Sequence, residues 1–406
     1  MTNLNYYLWL SLALGPSVGN IGPIFETFKT AKEIYNASDY ERKVSGVFKL
    51  EQIEKLADTE IEDTYPIIAA CAKNGVDIIT CHDDEYPKNL LNIPDFPIVL
   101  FVKGDLSCLD GKLPFAIVGT RKPTGKSYAA ATETAKALSQ CGFLIVSGGA
   151  LGVDSAAHTG ALLAGEKTIC VLGTGILSNY LKINEPLREV IAANGAVISE
   201  FMPYESSTKW SFLVRNRIIS GICEGVFVVE AEKKSGSLNT AGHAGDQGRD
   251  VFAMPGSGEE KAFFGCDKLI KDGAKTVITP LHILTSYAEK YPELIFANED
   301  VDLSINLTGL GMEVATHNSN IKKLVQKNEE ESIEFRDRKK PRKREIVDPL
   351  SDNARRVYEI FGRDPLTLKE IADAAIMPTS SLLGALTELE LFGYIELLPN
   401  TKYLIK

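Results

Sequence analysis

The chain has 406 residues, 44% of them hydrophobic, and 44 Lys and Arg against 54 Asp and Glu for a formal net charge of −10. That length exceeds one ordinary core and predicts two or three domains, while the acidic balance excludes polyanion binding by bulk charge, so a nucleic-acid site must be a local basic groove. Seven cysteines without a Cys-x-x-Cys pair are expected as buried small hydrophobes of a cytoplasmic protein, and neither a signal peptide nor an apolar stretch of membrane-span length is legible.

Residues 1–80 read as a small helical domain of the helix-hairpin-helix or SAM-like kind. Leu4, Leu8 and Leu12, then Gly15-Pro16-Ser17-Val18-Gly19, then Ile21, Phe25 and Phe28 predict two helices joined by a glycine turn. Such a hairpin can offer backbone N–H groups to phosphates, but Glu26, Asp39 and Glu41 give little basic support, and packing or protein contact is the expectation. Residues 81–105, with Pro87, Pro94, Pro97 and the turn Gly104-Asp105, read as a proline-rich connector.

From 106 to 290, apolar runs at Phe115–Val118, Phe143–Val146, Thr168–Leu172, Ala196–Ile198, Val226–Val229 and Val251–Ala253 alternate with helix-like sequence. Fully apolar strands alternating with helices predict an α/β fold, a doubly wound parallel Rossmann-like sheet covered on both faces. Ligands bind such sheets at the carboxyl ends of the strands, where the glycine turns of this chain fall. The first turn, Gly119-Thr120-Arg121, brings backbone close to a ligand and adds a guanidinium suited to phosphate. The second, Ser147-Gly148-Gly149 through Asp154, feeds a helix for which Asp154 is a good N-cap; His158 on that helix reads as a core histidine before it reads as the partner of Asp154. Gly173-Thr174-Gly175 and Ser235-Gly236-Ser237 are further turns able to cradle phosphate. The spacing of neither a P-loop nor a dinucleotide fingerprint is present, and no cofactor or metal is expected.

The segment Lys209-Trp210-Ser211-Phe212 through Arg215-Asn216-Arg217 mixes cations with aromatic rings, as single-stranded nucleic acid requires. The competing reading makes Phe212 core and pairs the arginines internally with Glu200 or Glu230.

Residues 291–348 lose periodicity and carry Arg336, Arg338, Lys339, Lys340, Arg342, Lys343 and Arg344 around Pro341, the composition of a disordered charged linker. From 349 to 406 three helical stripes precede two short strands about Pro399-Asn400, which predicts a winged helix. Its third helix, from about Thr379 to Leu391, holds Glu388 and Glu390 but no Lys or Arg, so a protein-contact role is expected in place of duplex reading.

Phe115 through Arg121, Ser147 through Asp154 with Ala157-His158, Arg215 through Gly221, Val228 through Ala231, Ser235 through Leu238, and Gln247-Gly248-Arg249 through Pro255-Gly256 together resemble the DNA-processing protein A family (DprA, also called Smf). The resemblance implies a cytoplasmic, homodimeric protein without turnover chemistry. It would bind single-stranded DNA independently of sequence, protect incoming DNA and load the RecA recombinase onto it in natural transformation. It also implies DNA contacts from Gly119, Thr120, Arg121 and Gly148, from Lys209 and the stacking ring Phe212, and from the motif Arg215-Asn216-Arg217. The chain departs from the common pattern at Gly149, Leu181 and Leu213. Two other readings remain at this stage: a small-nucleotide enzyme such as a phosphoribohydrolase, with Glu200 or Glu230 as acid or base, and a DNA contact made by the basic linker alone.

Overall fold

The computed structural model describes residues 2–180, 182–291, 301, 304–309, 350–361, 366–375, 377, 379–392, 394–397 and 402–405. Contacts divide the chain into two compact units, 1–326 and 327–406.

The first unit opens with α1 (Asn3–Leu14), α2 (Gly22–Thr27), α3 (Ala31–Asn36), α4 (Asp39–Ser45), α5 (Leu50–Asp58) and α6 (Thr64–Lys73). The expected hairpin is α1 and α2, joined by a turn with positive φ at Gly15, Ser17 and Gly19. The aromatic-rich α1 is the core of the bundle: Trp9 is buried and its indole N–H donates to the Thr59 carbonyl at 2.8 Å.

The sheet comprises β1 (Asp77–Thr80), β2 (Val99–Gly104), β3 (Leu113–Val118), β4 (Phe143–Ser147), β5 (Thr168–Leu172), β6 (Ala196–Ser199), β7 (Gly225–Val228), β8 (Asp250–Ala253) and β9 (Lys275–Thr276). Between the strands run α7 (Gly125–Gln140), α8 (Val153–Leu163), α9 (Glu185–Ala193), α10 (Lys209–Ile222), α11 (Ser237–Asp246) and α12 (Phe264–Lys271), with α13 (Pro280–Tyr287) after β9. Spatial order is β1-β2-β6-β5-β4-β3-β7-β8-β9, parallel throughout except for the two antiparallel edge pairings of β2. Every residue of β3, β4, β5, β6 and β7 is buried, as strands covered on both faces must be. Burial of each large apolar side chain contributes about 1.5–3 kcal/mol. The order reverses between β3 and β7, since β3 leads to β4 on one side while the chain returns to lay β7 on the other. That reversal opens a crevice at the carboxyl ends of β3 and β7.

Two expected boundaries need correction. The proline-rich stretch is no connector, because β2 pairs with β6 and carries β1 outside it, so this segment extends the sheet. The expected linker begins late: Leu307 is fully buried in the first core, and its N–H donates to the Ile278 carbonyl at 2.9 Å. The basic run from Arg336 to Arg344 lies outside the described residues.

The second unit has its own core of Leu350, Ala354, Val357, Ile371, Leu382, Leu386, Leu389 and Ile395 among others. It contains α14 (Asp352–Ile360), β10 (Leu366–Thr367), α15 (Leu368–Ala375), α16 (Thr379–Leu391), β11 (Ile395–Leu397) and β12 (Lys402–Ile405). The wing hairpin aligns Ile395 with Ile405 and Leu397 with Tyr403, and β10 adds a third strand. All seven cysteines are buried free thiols. Among the described residues no helix is long and apolar enough to cross a membrane.

Candidate functional site

A cleft of about 620 Å³ occupies the crevice at the ends of β3 and β7. Gly119, Thr120 and Arg121 form one wall, Lys209, Phe212, Arg215 and Asn216 of α10 a second, and Glu232 with Lys234 to Ser237 after β7 a third.

The first wall is pinned from both sides. A Cβ on Gly119 would come within 2.6 Å of the Val153 side chain and 3.0 Å of the Glu230 carbonyl, so only glycine fits. The Thr120 N–H donates to the Glu230 carbonyl at 2.9 Å, and its own carbonyl accepts from the Val153 N–H at 3.2 Å. One oxygen of the buried Glu230 carboxylate accepts from both the Thr124 N–H at 2.9 Å and the Thr124 hydroxyl at 2.8 Å, at the start of α7. This loop leaves Arg121 and Lys122 exposed on the cleft.

Helix α10 is capped by Thr208, whose hydroxyl accepts from the Ser211 N–H at 3.0 Å. Its spacing places Lys209, Phe212, Asn216 and Ile219 on the cleft face. Lys209 is exposed at the first position of the helix. The half-buried Phe212 ring has the guanidinium carbon of Arg121 4.9 Å from its centroid, that of Arg215 at 5.8 Å, and the Tyr180 ring at 5.3 Å.

Arg215 lines the cleft but is buried, donating to the carbonyls of Gly148, at 2.7 Å, and Val171. A Cβ on Gly148 would lie 2.7 Å from both the Arg215 guanidinium and the Asp154 carboxylate, so glycine here makes room for that pair. Burial pushes the Asp154 carboxyl above its ordinary value, and Arg215 opposes the shift. Asn216 donates to the Gly236 carbonyl at 3.3 Å and to the Asn239 side-chain oxygen at 3.1 Å, tying α10 to the start of α11. Arg215 and Asn216 therefore line the cleft with their polar groups tied to its framework, and Gly148 makes room for the Arg215–Asp154 pair.

Arg217 is not in the cleft. It is 1% exposed and faces away, its guanidinium donating to Asp95 at 2.9 Å and Glu200 at 2.6 Å. As a DNA contact it must be withdrawn in favour of an internal ion pair. The reason is helical: residues two apart on α10 point about 200° apart, so Arg215 and Arg217 cannot share a face. Asp154 and His158 also stay apart. The His158 ring nitrogen pairs with the Thr168 hydroxyl at 2.9 Å, and burial pushes its pKa down to about 3, which keeps it neutral.

Two cations of the cleft were missed from the sequence. Lys122 and Lys234 line it beside Arg121 and Lys209, and Glu232 is the exposed carboxylate of the lining. The signal was available in Lys122 adjoining Arg121 and in the pair Lys233-Lys234 just before Ser235.

Residues 77–288, which contain the cleft, match the family described as DNA recombination-mediator protein A, and residues 341–400 match the DprA winged helix domain. The chain is 39% identical to DNA processing protein DprA of Bacillus subtilis over 235 residues, 57% of this chain and 79% of that one. It aligns with protein Smf of Synechocystis sp. across 99% of both chains at 28% identity. The X-ray structure of DNA processing protein A from Streptococcus pneumoniae superposes with a TM-score of 0.59 and 34% identity, covering 70% of this chain and 98% of that one.

Proposed function

Because this chain belongs to the DNA-processing protein A family, we propose that its cleft grips single-stranded DNA without regard to sequence, holding it for a recombinase of the RecA type during uptake of foreign DNA. The observation that carries this reading is the convergence of Arg121, Lys122, Lys209 and Lys234 on one cleft of a molecule whose net charge is −10. A focused cationic site on an acidic body attracts a polyanion where the overall field does not. Contact through phosphates carries no base information, which fits a protein that must accept any incoming strand. Proximity to the recombinase requires a cytoplasmic location, and the family suggests a homodimer.

A binding role in place of turnover is supported by what the two candidate carboxylates are doing. Glu230 holds the Thr124 cap, and Glu200 is paired with Arg217 inside the protein. Neither lines the cleft, so neither is placed to act as a general acid or base on a nucleotide held there. The winged helix is proposed as a protein-contact module, since its third helix, α16, carries Glu388 and Glu390 but no Lys or Arg for phosphates and bases.

The test is competition binding with a labelled oligo-dT: oligo-dA and mixed-sequence single strands compete equally, and duplex of the same length competes weakly. Recombinase filament assembly on protein-coated single strands reports loading. Strong preference for one base, or release of free base from nucleoside monophosphates, would replace this reading with an enzymatic one.

A further inference from the structure

The sheet has a second opening, and its charge is the reverse of the cleft's. A groove of about 750 Å³ runs past Pro114 at the start of β3 and past Gly104, which closes β2 opposite Ala196, the first residue of β6. It therefore lies at the amino ends of the parallel strands, on the edge opposite the cleft. Its floor is apolar: Val102, Leu106 and Ile222 are buried, with Ile78, Ile79 and Leu109 half-buried around them. Its rim is acidic, because Asp77, Asp83, Asp84, Glu85, Asp105 and Asp110 all line it and all are exposed. None of the six makes an ion pair among the described residues. Of the two lysines in the lining, Lys112 is held by Glu166 at 2.9 Å, which leaves Lys88 as the other cation. Helix α10 ends on the groove at Ile222, and a helix C-terminus adds partial negative charge.

We propose that this groove docks a lysine- and arginine-rich segment of a partner protein. Its chemistry selects that occupant. The carboxylate rim repels nucleic acid. A single metal ion is a poor match, because among the described residues no group of acidic, histidine or cysteine side chains is placed to hold one. An uncharged apolar ligand would use the floor and gain nothing from the rim. A basic peptide uses both: its charged ends reach the carboxylates, while the methylene stems of Lys and Arg and any interspersed apolar side chain cover the floor. The volume falls within the range of about 300–1,000 Å³ common to ligand sites. Since the groove and the cleft open on opposite edges of the sheet, the proposal holds whatever the cleft binds, and a partner seated here leaves the cleft open.

The test is fluorescence anisotropy of the full-length protein with a fluorescein-labelled nonapeptide of six lysines and three leucines. Asp84→Asn with Glu85→Gln, and Asp105→Asn with Asp110→Asn, are near-isosteric changes at the surface, and each pair removes two rim charges. Losing two exposed charge pairs lowers affinity by roughly three- to tenfold in either variant, and salt weakens binding to the wild type. Glu54→Gln with Glu62→Gln, two exposed carboxylates of the helical bundle, changes net charge equally and leaves affinity unchanged. A peptide with serine in place of its leucines binds about tenfold more weakly, the loss of one buried leucine. Equal losses in the groove and bundle variants, or equal binding of the serine peptide, would overturn the proposal in favour of non-specific attraction to an acidic protein. Spermine that displaces the label as well as unlabelled peptide does at equal charge would give the groove to polyamines instead. Tighter peptide binding in Lys339→Gln with Lys340→Gln would give it to the chain's own basic run. Absence of binding by the wild type would remove the site altogether.

Discussion

Substituting Arg217 with Met separates a structural role from a DNA contact within one motif. Arg217 is 1% exposed, Glu200 5%, and their atoms are 2.6 Å apart. Removing the cation leaves Glu200 buried without its counter-charge, which typically costs about 3–5 kcal/mol. The second partner, Asp95, has a side chain 25% exposed, so water compensates most of its loss. Burial already raises the Glu200 carboxyl above its ordinary value, against the pull of Arg217, and without Arg217 it rises further. The folded state then binds that proton more tightly than the unfolded chain, where a Glu titrates near about 4.3. Stability from such a group is present at low pH and is lost as pH rises through the folded value. The deficit of Arg217→Met is therefore largest at neutral pH and narrows toward pH 5. Urea unfolding followed by far-UV circular dichroism at both pH values measures it. The double variant Arg217→Met with Glu200→Leu should recover much of the loss, because removing both charges leaves no orphan. Wild-type stability in Arg217→Met, together with lost affinity for single strands, would refute the internal assignment.

Three further outcomes follow from the same geometry. Gly148→Ala places a methyl 2.7 Å from both Arg215 and Asp154, and overpacking of this kind costs about 1–3 kcal/mol, read as a lower unfolding midpoint. Trp9 is buried at 1% exposure, whereas Trp210, next in sequence to Lys209 of the cleft, is exposed at 53%, so quenching of intrinsic fluorescence by oligo-dT should vanish in Trp210→Phe; a retained signal would move the response to the N-terminal bundle. Truncation after Gln326, the edge of the first compact unit, should retain single-strand affinity in a gel shift, whereas its loss would transfer the contact to the basic run between Arg336 and Arg344.

The six central strands were legible because β-branched and aromatic runs end at glycine turns, which marks a sheet buried on both faces. Three strands are not marked in the sequence, since β1 is only Asp77–Thr80, β9 only Lys275–Thr276, and β2 follows Pro94 and Pro97 closely; the pairing of β2 with β6, and of β1 with β2, is a tertiary fact that no local pattern announces. At the site, the sequence exposed the correct motif but could not rank its members. Helical geometry decides that Lys209 and Phe212 reach the cleft while Arg217 points into the core. The bracing of Arg215 by main-chain carbonyls of Gly148 and Val171 depends on strands remote in sequence. In the sequence Lys234 is masked by Ser235 and Gly236, which read as a phosphate turn, although the lysine before them carries the charge into the cleft.

The most direct test of the cleft is the salt dependence of oligo-dT binding by the wild type and by Arg121→Ala combined with Lys209→Ala. Four phosphate contacts predict a log K against log salt slope of about −3, and losing two should make it shallower by about 1.4, with duplex bound weakly throughout. An identical slope in the double variant, or equal affinity for duplex, would contradict the assignment of this cleft as the site that holds the strand.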